Sequence, residues 1–198
     1  YGWEMHHILN KIAKGEETPK SLCKAVESKY KKFPKDVYSM NFITNHDENA
    51  WNGTLFERMG DAWKAMAVFT YFTPGIPLLY TGQEVGNNKR LAFFEKDNVV
   101  AGRNASEISR FYRDLAETRL SLPELEMSKE LNTVVDFDVH NNALISWVRE
   151  TAEKEKTKRS RTYIAINMSD KIQKWTKYPE GSVILRSGGS DNEIEPWG

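Results

Sequence analysis

Residues 42–49, Phe42-Ile43-Thr44-Asn45-His46-Asp47-Glu48-Asn49, set a short apolar run directly against two carboxylates, an imidazole and two amides. Upstream the apolar, β-prone stretch begins at Tyr38, and a continuous run of this length is what a buried parallel strand looks like. Downstream, Leu55, Met59, Ala62, Trp63, Met66, Ala67 and Phe69 recur at helical intervals, which predicts one helix from Thr54 to Phe72 ended by Thr73-Pro74-Gly75. Ile76 to Tyr80 is a second short apolar strand, closed by Thr81-Gly82. The two strand ends lie about 37 residues apart, close to the ~31 residues per unit of a 250-residue eightfold barrel. A parallel βαβ unit follows. In such folds the carboxyl ends of the strands form the ligand-binding face, and Asn45, His46 and Asp47 stand at one of them.

The flanks supply the rest of the architecture. Gly2 to Gly15 carries Trp3, His6, His7, Ile8, Leu9, Ile12 and Ala13 at helical spacing. His6 and His7 are adjacent, so they point different ways; they lack metal-ligand spacing and read as packing or surface residues. Thr18-Pro19 opens a second helix that runs to about Lys32 and ends at Phe33-Pro34. Gln83 to Asn104 is a long polar loop, and Ser106 to Leu120 is another amphipathic helix. After Leu131 the period changes: Val135, Phe137 and Val139 alternate with polar residues, Asn141-Asn142 supplies a turn, and Ala143 to Val148 returns. Tyr163 to Met168, Ile172 to Trp175 and Val183 to Arg186 are further strand candidates. This half reads as an antiparallel β domain, with the boundary between Leu122 and Leu131.

Lysine plus arginine and aspartate plus glutamate are equal at 28 each, so nothing points to nucleic acid or an anionic membrane surface as partner. The basic cluster Lys154 to Arg161 is broken by Glu155 and reads as a solvated loop. Cys23 is the one cysteine, which excludes an intramolecular disulfide and a cysteine zinc site; on a helix it reads as a small buried thiol. One free thiol suits a reducing compartment and equally a secreted protein that needs no disulfide, so localisation stays open. No apolar run approaches the roughly 20 residues that span a bilayer.

On spacing alone two readings of the decisive segment compete. Asn45, His46 and Asp47 could orient hydroxyls, hold a metal or perform acid–base work. Equally, Asp47 and Asn49 could cap the following helix while His46 fills a surface turn, because polar residues after a strand are common.

Phe42-Ile43-Thr44-Asn45-His46-Asp47 resembles the fourth signature region of the α-amylase family of glycoside hydrolases (family thirteen). Gly75 to Glu84, Gly-Ile-Pro-Leu-Leu-Tyr-Thr-Gly-Gln-Glu, resembles that family's eighth barrel strand, and the two motifs occur in the family's order and separation. Arg90-Leu91 followed by Phe93-Phe94, then a helix and a small β domain, fits as well. The resemblance implies α/β plus all-β: residues 1–125 as the last βα units of a partial (β/α)8 barrel, and residues 126–198 as a small antiparallel β-sandwich. It implies that Asp47 is the third catalytic carboxylate, which stabilises an oxocarbenium-like transition state without attacking, and that His46 donates to hydroxyls of the same sugar. Asn45 joins them at the sugar or braces the turn. Trp51 offers a ring for a sugar face or packs elsewhere. Glu84 serves first at the barrel mouth and second in substrate contact.

The resemblance also defines what these residues do not supply. A retaining glycosidase needs a nucleophile and a general acid roughly 5–5.5 Å apart; in the family they follow the fourth and fifth strands, and neither signature is present. The expectation is a segment inactive alone, from a parent that acts on α-glucan oligosaccharides. Trehalose or sucrose isomerisation and transglycosylation share the two motifs, and a non-catalytic carbohydrate-binding module is the reading from another class. The family's calcium sites draw mostly on an earlier domain, so no metal or other cofactor is expected here, whether or not the parent binds calcium. Two strands cut from a barrel also expose edges, through which copies could self-associate.

Overall fold

A computed structural model describes residues 1–32, 34, 37–125, 134–151, 160–176, 180–186, 188–190 and 192–198, with the side chains of 30, 31 and 134–136 left aside. Helices α1 (Trp3–Ala13) and α2 (Pro19–Lys32) precede strand β1 (Met40–Asn41). A π-helical turn (Glu48–Asn52) leads into α3 (Leu55–Met59) and α4 (Trp63–Phe72), and strand β2 (Ile76–Pro77) follows. Helix α5 (Ala105–Ser121) comes after a long loop, and then strands β3 (Val134–His140), β4 (Leu144–Glu150), β5 (Arg161–Asn167), β6 (Gln173–Lys174) and β7 (Glu193–Ile194).

Strands β1 and β2 pair in parallel, Met40 opposite Ile76 and Asn41 opposite Pro77. The Ile76 and Leu78 amides donate to the Ser39 and Asn41 carbonyls, each at 2.8 Å, and on the other side of β1 the Gly2 amide donates to Met40 O at 2.8 Å. Both strands are shorter than expected. The Pro74 carbonyl is taken by the Asn41 side chain at 3.0 Å, and Pro77 leaves the edge of β2 that faces away from β1 without a donor. Gly75 makes the pairing feasible: at φ +126°, a Cβ there would lie 2.5 Å from both Ser39 O and Asn41 Nδ2.

The predicted helix over 54–72 is interrupted. Thr54 caps α3 in a reciprocal box with Glu57, and Gly60 then takes φ +50°, ψ −134°, which no helix tolerates. A single 3-10 turn (Gly60–Ala62) restarts the chain as α4.

Strands β3, β4 and β5 form one antiparallel sheet in that order. Asn141 and Asn142 both adopt positive φ, 50° and 54°, as a type I′ hairpin turn demands. Helix α4 covers one face of this sheet. Cross-strand pairs Trp147–Ile164 and Ile145–Ile166 pack toward helix α4, where Phe69 meets Trp147 edge-on with centroids 5.5 Å apart. The other antiparallel pair, β6 with β7, is a two-residue ribbon, and the expected strand at Val183–Arg186 is exposed irregular chain. One hydrophobic core therefore runs from Leu9 and Leu22 through Met66 and Phe69 to Ile145 and Ile166. Cys23 lies in it, and burial pushes its thiol up to about 12. The expected divide between 1–125 and 126–198 falls at 126–133, and most of the Lys154–Arg161 cluster at 152–159, both outside the described residues; so do Phe33 and Leu131.

Gly75→Ala combines a strained positive φ with a clash against β1. Urea unfolding should show a loss of about 1–3 kcal/mol, and an unchanged midpoint would remove this account of the strand pairing.

Candidate functional site

The chain after β1 runs inward as buried Phe42, Ile43, Thr44 and Asn45 and then turns outward. Asn45, only 1% exposed, accepts the Glu48 amide on Oδ1 at 2.8 Å and so starts the turn itself. Its burial makes it a brace rather than a surface contact. Asp47 makes no capping hydrogen bond, and Asn49 faces the loop after β2 instead: it donates to Lys89 O at 3.2 Å and accepts from the Leu91 amide at 2.7 Å. Neither residue caps the helix.

His46 and Asp47 are both part-exposed, with Nε2 and Oδ2 3.6 Å apart. The His46 ring lies 5.6 Å from Phe93, which in turn lies 5.2 Å from Trp51. His46, Asp47 and Trp51 thus share one surface. Glu84 does not join them by any hydrogen bond or ion pair among the described residues. It sits in a 3-10 turn (Gln83–Val85), its carbonyl accepting from Ser109 of α5 at 2.7 Å. A cleft of about 10 Å³ between the strand ends, lined by Thr44, Asn49, Tyr80, Thr81 and Gln83, has room for about one water molecule and no sugar. A ligand here would lie on the open surface.

Beneath that surface lies a charged cluster that sequence reasoning missed. Glu48 points inward. Its Oε2 is 3.0 Å from His6 Nε2 and 3.7 Å from Arg58 Nη1, and its Oε1 accepts from Asn52 at 3.0 Å. Arg58 also donates to Asn10 Oδ1, Ile43 O and Gly53 O at 2.7, 2.9 and 3.0 Å. Burial is the largest influence on His6 and holds it below the usual histidine range, although Glu48 pulls the other way. Burial alone would raise Glu48, but hydrogen bonding and charge from His6, with Arg58 and Asn52, bring it below the usual carboxylate range. The signal in the sequence was slight: His6 and Asn10, four apart, share the buried face of α1 with Leu9.

Among the described residues, no group of three or more His, Cys, Asp or Glu side chains could hold a metal ion, and no helix is long and apolar enough to cross a membrane.

No family model matches the chain. Over 99 residues it is 30% identical to the α-amylase MalA of Haloarcula japonica, a stretch covering 50% of this chain and 14% of that protein. Its fold matches a maltogenic α-amylase from Thermotoga neapolitana with a TM-score of 0.66 at 17% identity, over 86% of this chain and 38% of that one. It also matches the cyclic α-maltosyl-(1→6)-maltose hydrolase of Arthrobacter globiformis, solved in complex with maltose, at 0.62 and 13% identity over 86% of this chain and 37% of that one. The chain thus spans well under half the length of each of these three relatives.

The buried cluster makes stability depend on pH. With its folded pKa below the unfolded 6.5, His6 contributes stability above 6.5 that is lost as pH falls toward the folded value; Glu48, also depressed, adds a loss below its unfolded 4.5. Each group contributes a slope of at most ~1.4 kcal/mol per pH unit. Urea melts of His6→Gln between pH 7 and 5 should show a flatter decline than the native chain; an identical decline would locate the sensitivity elsewhere.

Proposed function

The chain resembles part of an α-amylase-family glycoside hydrolase, and from that premise we propose that it is the C-terminal portion of an enzyme acting on α-1,4-glucans with retention. On this reading β1 and β2 are the seventh and eighth strands of a (β/α)8 barrel, α3 and α4 the connection between them, and 126–198 the β domain beyond. The observation that carries it is the opposed orientation of two neighbouring carboxylates. Asp47 reaches the surface at a strand's carboxyl end beside His46, while Glu48 is turned in and held by His6 and Asn52.

Asp47 is then the carboxylate that becomes more stabilising as positive charge develops on the sugar ring, and it accepts hydrogen bonds from ring hydroxyls. His46 donates to the same sugar. Trp51 lends a flat apolar face, Asn45 holds the turn, and Glu84 anchors the loop against α5. The nucleophile and general acid come from chain outside these 198 residues, because the family's signatures for them are absent here, and Glu48, locked inside, cannot stand in. The reading needs no metal or cofactor from this segment, and neither nucleic acid nor a membrane as partner. Isomerase or transglycosylase chemistry in the longer protein would use the same residues.

A non-catalytic sugar-binding module built on the β domain is the second reading. It has less support, because Trp147 and Trp175 are buried rather than displayed. Exposed apolar side chains lie along the strand pair, Tyr38, Ile76 and Leu79 among them, and in residues 163–185 of the β half. A parallel sheet is ordinarily covered on both faces, so we expect copies of the isolated chain to associate there.

Two measurements test these proposals. The purified chain, its mass verified against 22.9 kDa, should not turn over soluble starch or a chromogenic maltooligosaccharide; activity that tracks the protein and disappears in Asp47→Asn would place a second working carboxylate within it. Light scattering should show association that weakens in Ile76→Ser/Leu79→Ser. A monodisperse monomer would refute the association.

A further inference from the structure

Phe93 has no place in the reaction as proposed, yet it stands at the centre of the site's surface. Its ring bridges His46 at 5.6 Å and Trp51 at 5.2 Å, and meets Phe94 edge-on at 4.7 Å. Trp51 is 60% and Phe94 83% exposed. A cluster of three exposed or half-exposed rings is a surface that water disfavours, and such patches mark contact sites. The loop that displays it is held at many points. Asn49 takes the Lys89 carbonyl and the Leu91 amide. Asp97 accepts from Lys89 and from the Ala92 and Asn98 amides, which hold its carboxyl near 2. Arg90 grips both oxygens of Glu57. A loop merely covering the core would not need rings pointing to solvent on so fixed a frame.

The charges decide what class of ligand fits. Of the three cations in residues 89–98, Lys89 and Arg90 are paired with carboxylates and Lys96 stands between Glu95 and Asp97 in the sequence, while Asp47 stands at the end of the strip. An anionic ligand such as a nucleic-acid strand would need a positive groove beside the rings. A neutral pyranose does not. One face of its ring is C–H rich and suits the electron-rich face of an aromatic ring, while its hydroxyls need the donor and acceptor that His46 and Asp47 supply.

Resting on the reading above, we propose that Phe93 is a sugar-binding residue: with Trp51 it forms an aromatic platform that carries a neutral α-glucan past His46 and Asp47. The test is an NMR titration of the 198-residue chain with maltotriose, following the Trp51 indole and the backbone amides of Asp47 and Phe93. All three should shift together. Phe93→Leu keeps an apolar side chain but loses the ring, and should weaken binding about five- to tenfold, while Phe93→Tyr should bind as the native chain does. Native-like affinity in Phe93→Leu, or shifts at Asp47 with none at Trp51 and Phe93, would overturn the platform and leave the sugar site at Asp47 standing. No shift at any of the three at tens of millimolar maltotriose would overturn both. Unchanged peak dispersion in the Leu variant verifies that its fold is intact.

Discussion

A carboxylate buried inside a protein must be compensated where it sits, and Glu48 imposes that requirement on much of this fold. Removing a partner from such a pair commonly costs about 3–5 kcal/mol, because the remaining charge is left without solvent. The partners come from separate pieces of chain: His6 from α1, Asn52 from the π-helical turn and Arg58 from α3. Arg58 then extends the grip to the carbonyls of Ile43 and Gly53, at both ends of the turn. Satisfying Glu48 therefore fixes α1, the end of the first strand and α3 relative to one another. Because Asp47 precedes Glu48 in the same turn, sending one carboxylate inward presents the other outward. The outward geometry follows from the inward bond.

The loop after β2 is governed by surface interactions of a different kind. Its links to Asn49 are neutral hydrogen bonds to backbone, which fix its path. Its ion pairs, Lys89 with Asp97 and Arg90 with Glu57, are exposed and individually contribute little to stability. They do tie two of the loop's positive charges to carboxylates beside the aromatic rings. Glu57 performs two tasks, completing the cap of α3 and receiving Arg90, and these contacts hold its carboxyl at about 2. The helix cap and the loop thereby share one side chain.

Much of this was legible in the residues, and the failures have physical causes. The strand–helix–strand order, the Asn141-Asn142 turn and the outward His46 and Asp47 follow from apolar period, turn chemistry and position after a strand. Strand lengths did not, because pairing depends on which backbone groups find partners, and side chains such as that of Asn41 compete for them. The break at Gly60 was hidden because the apolar period continues across it while φ changes sign. The helix packed on the sheet was hidden as well, because alternation along a strand says that a face is buried, not whether a helix or a sheet buries it; on one face Phe69 of α4 does. Glu48 and Arg58 were passed over since charged residues near a strand's end ordinarily face water. Their burial is a property of the assembled elements.

The thiol of Cys23 offers a native probe of this assembly. It is the chain's one cysteine and lies in the core shared by α1 and α2. Surroundings that push its ionisation up to about 12 leave almost no thiolate at neutral pH, and the thiolate is the reactive form. An alkylating reagent would reach it only when that core opens, so its modification rate reports how often the α1–α2 layer lifts away. That layer includes His6 and Asn10, so the same opening removes the floor beneath Asp47. One unlabelled sulfur atom thus reads out how firmly the residues beneath that surface are held.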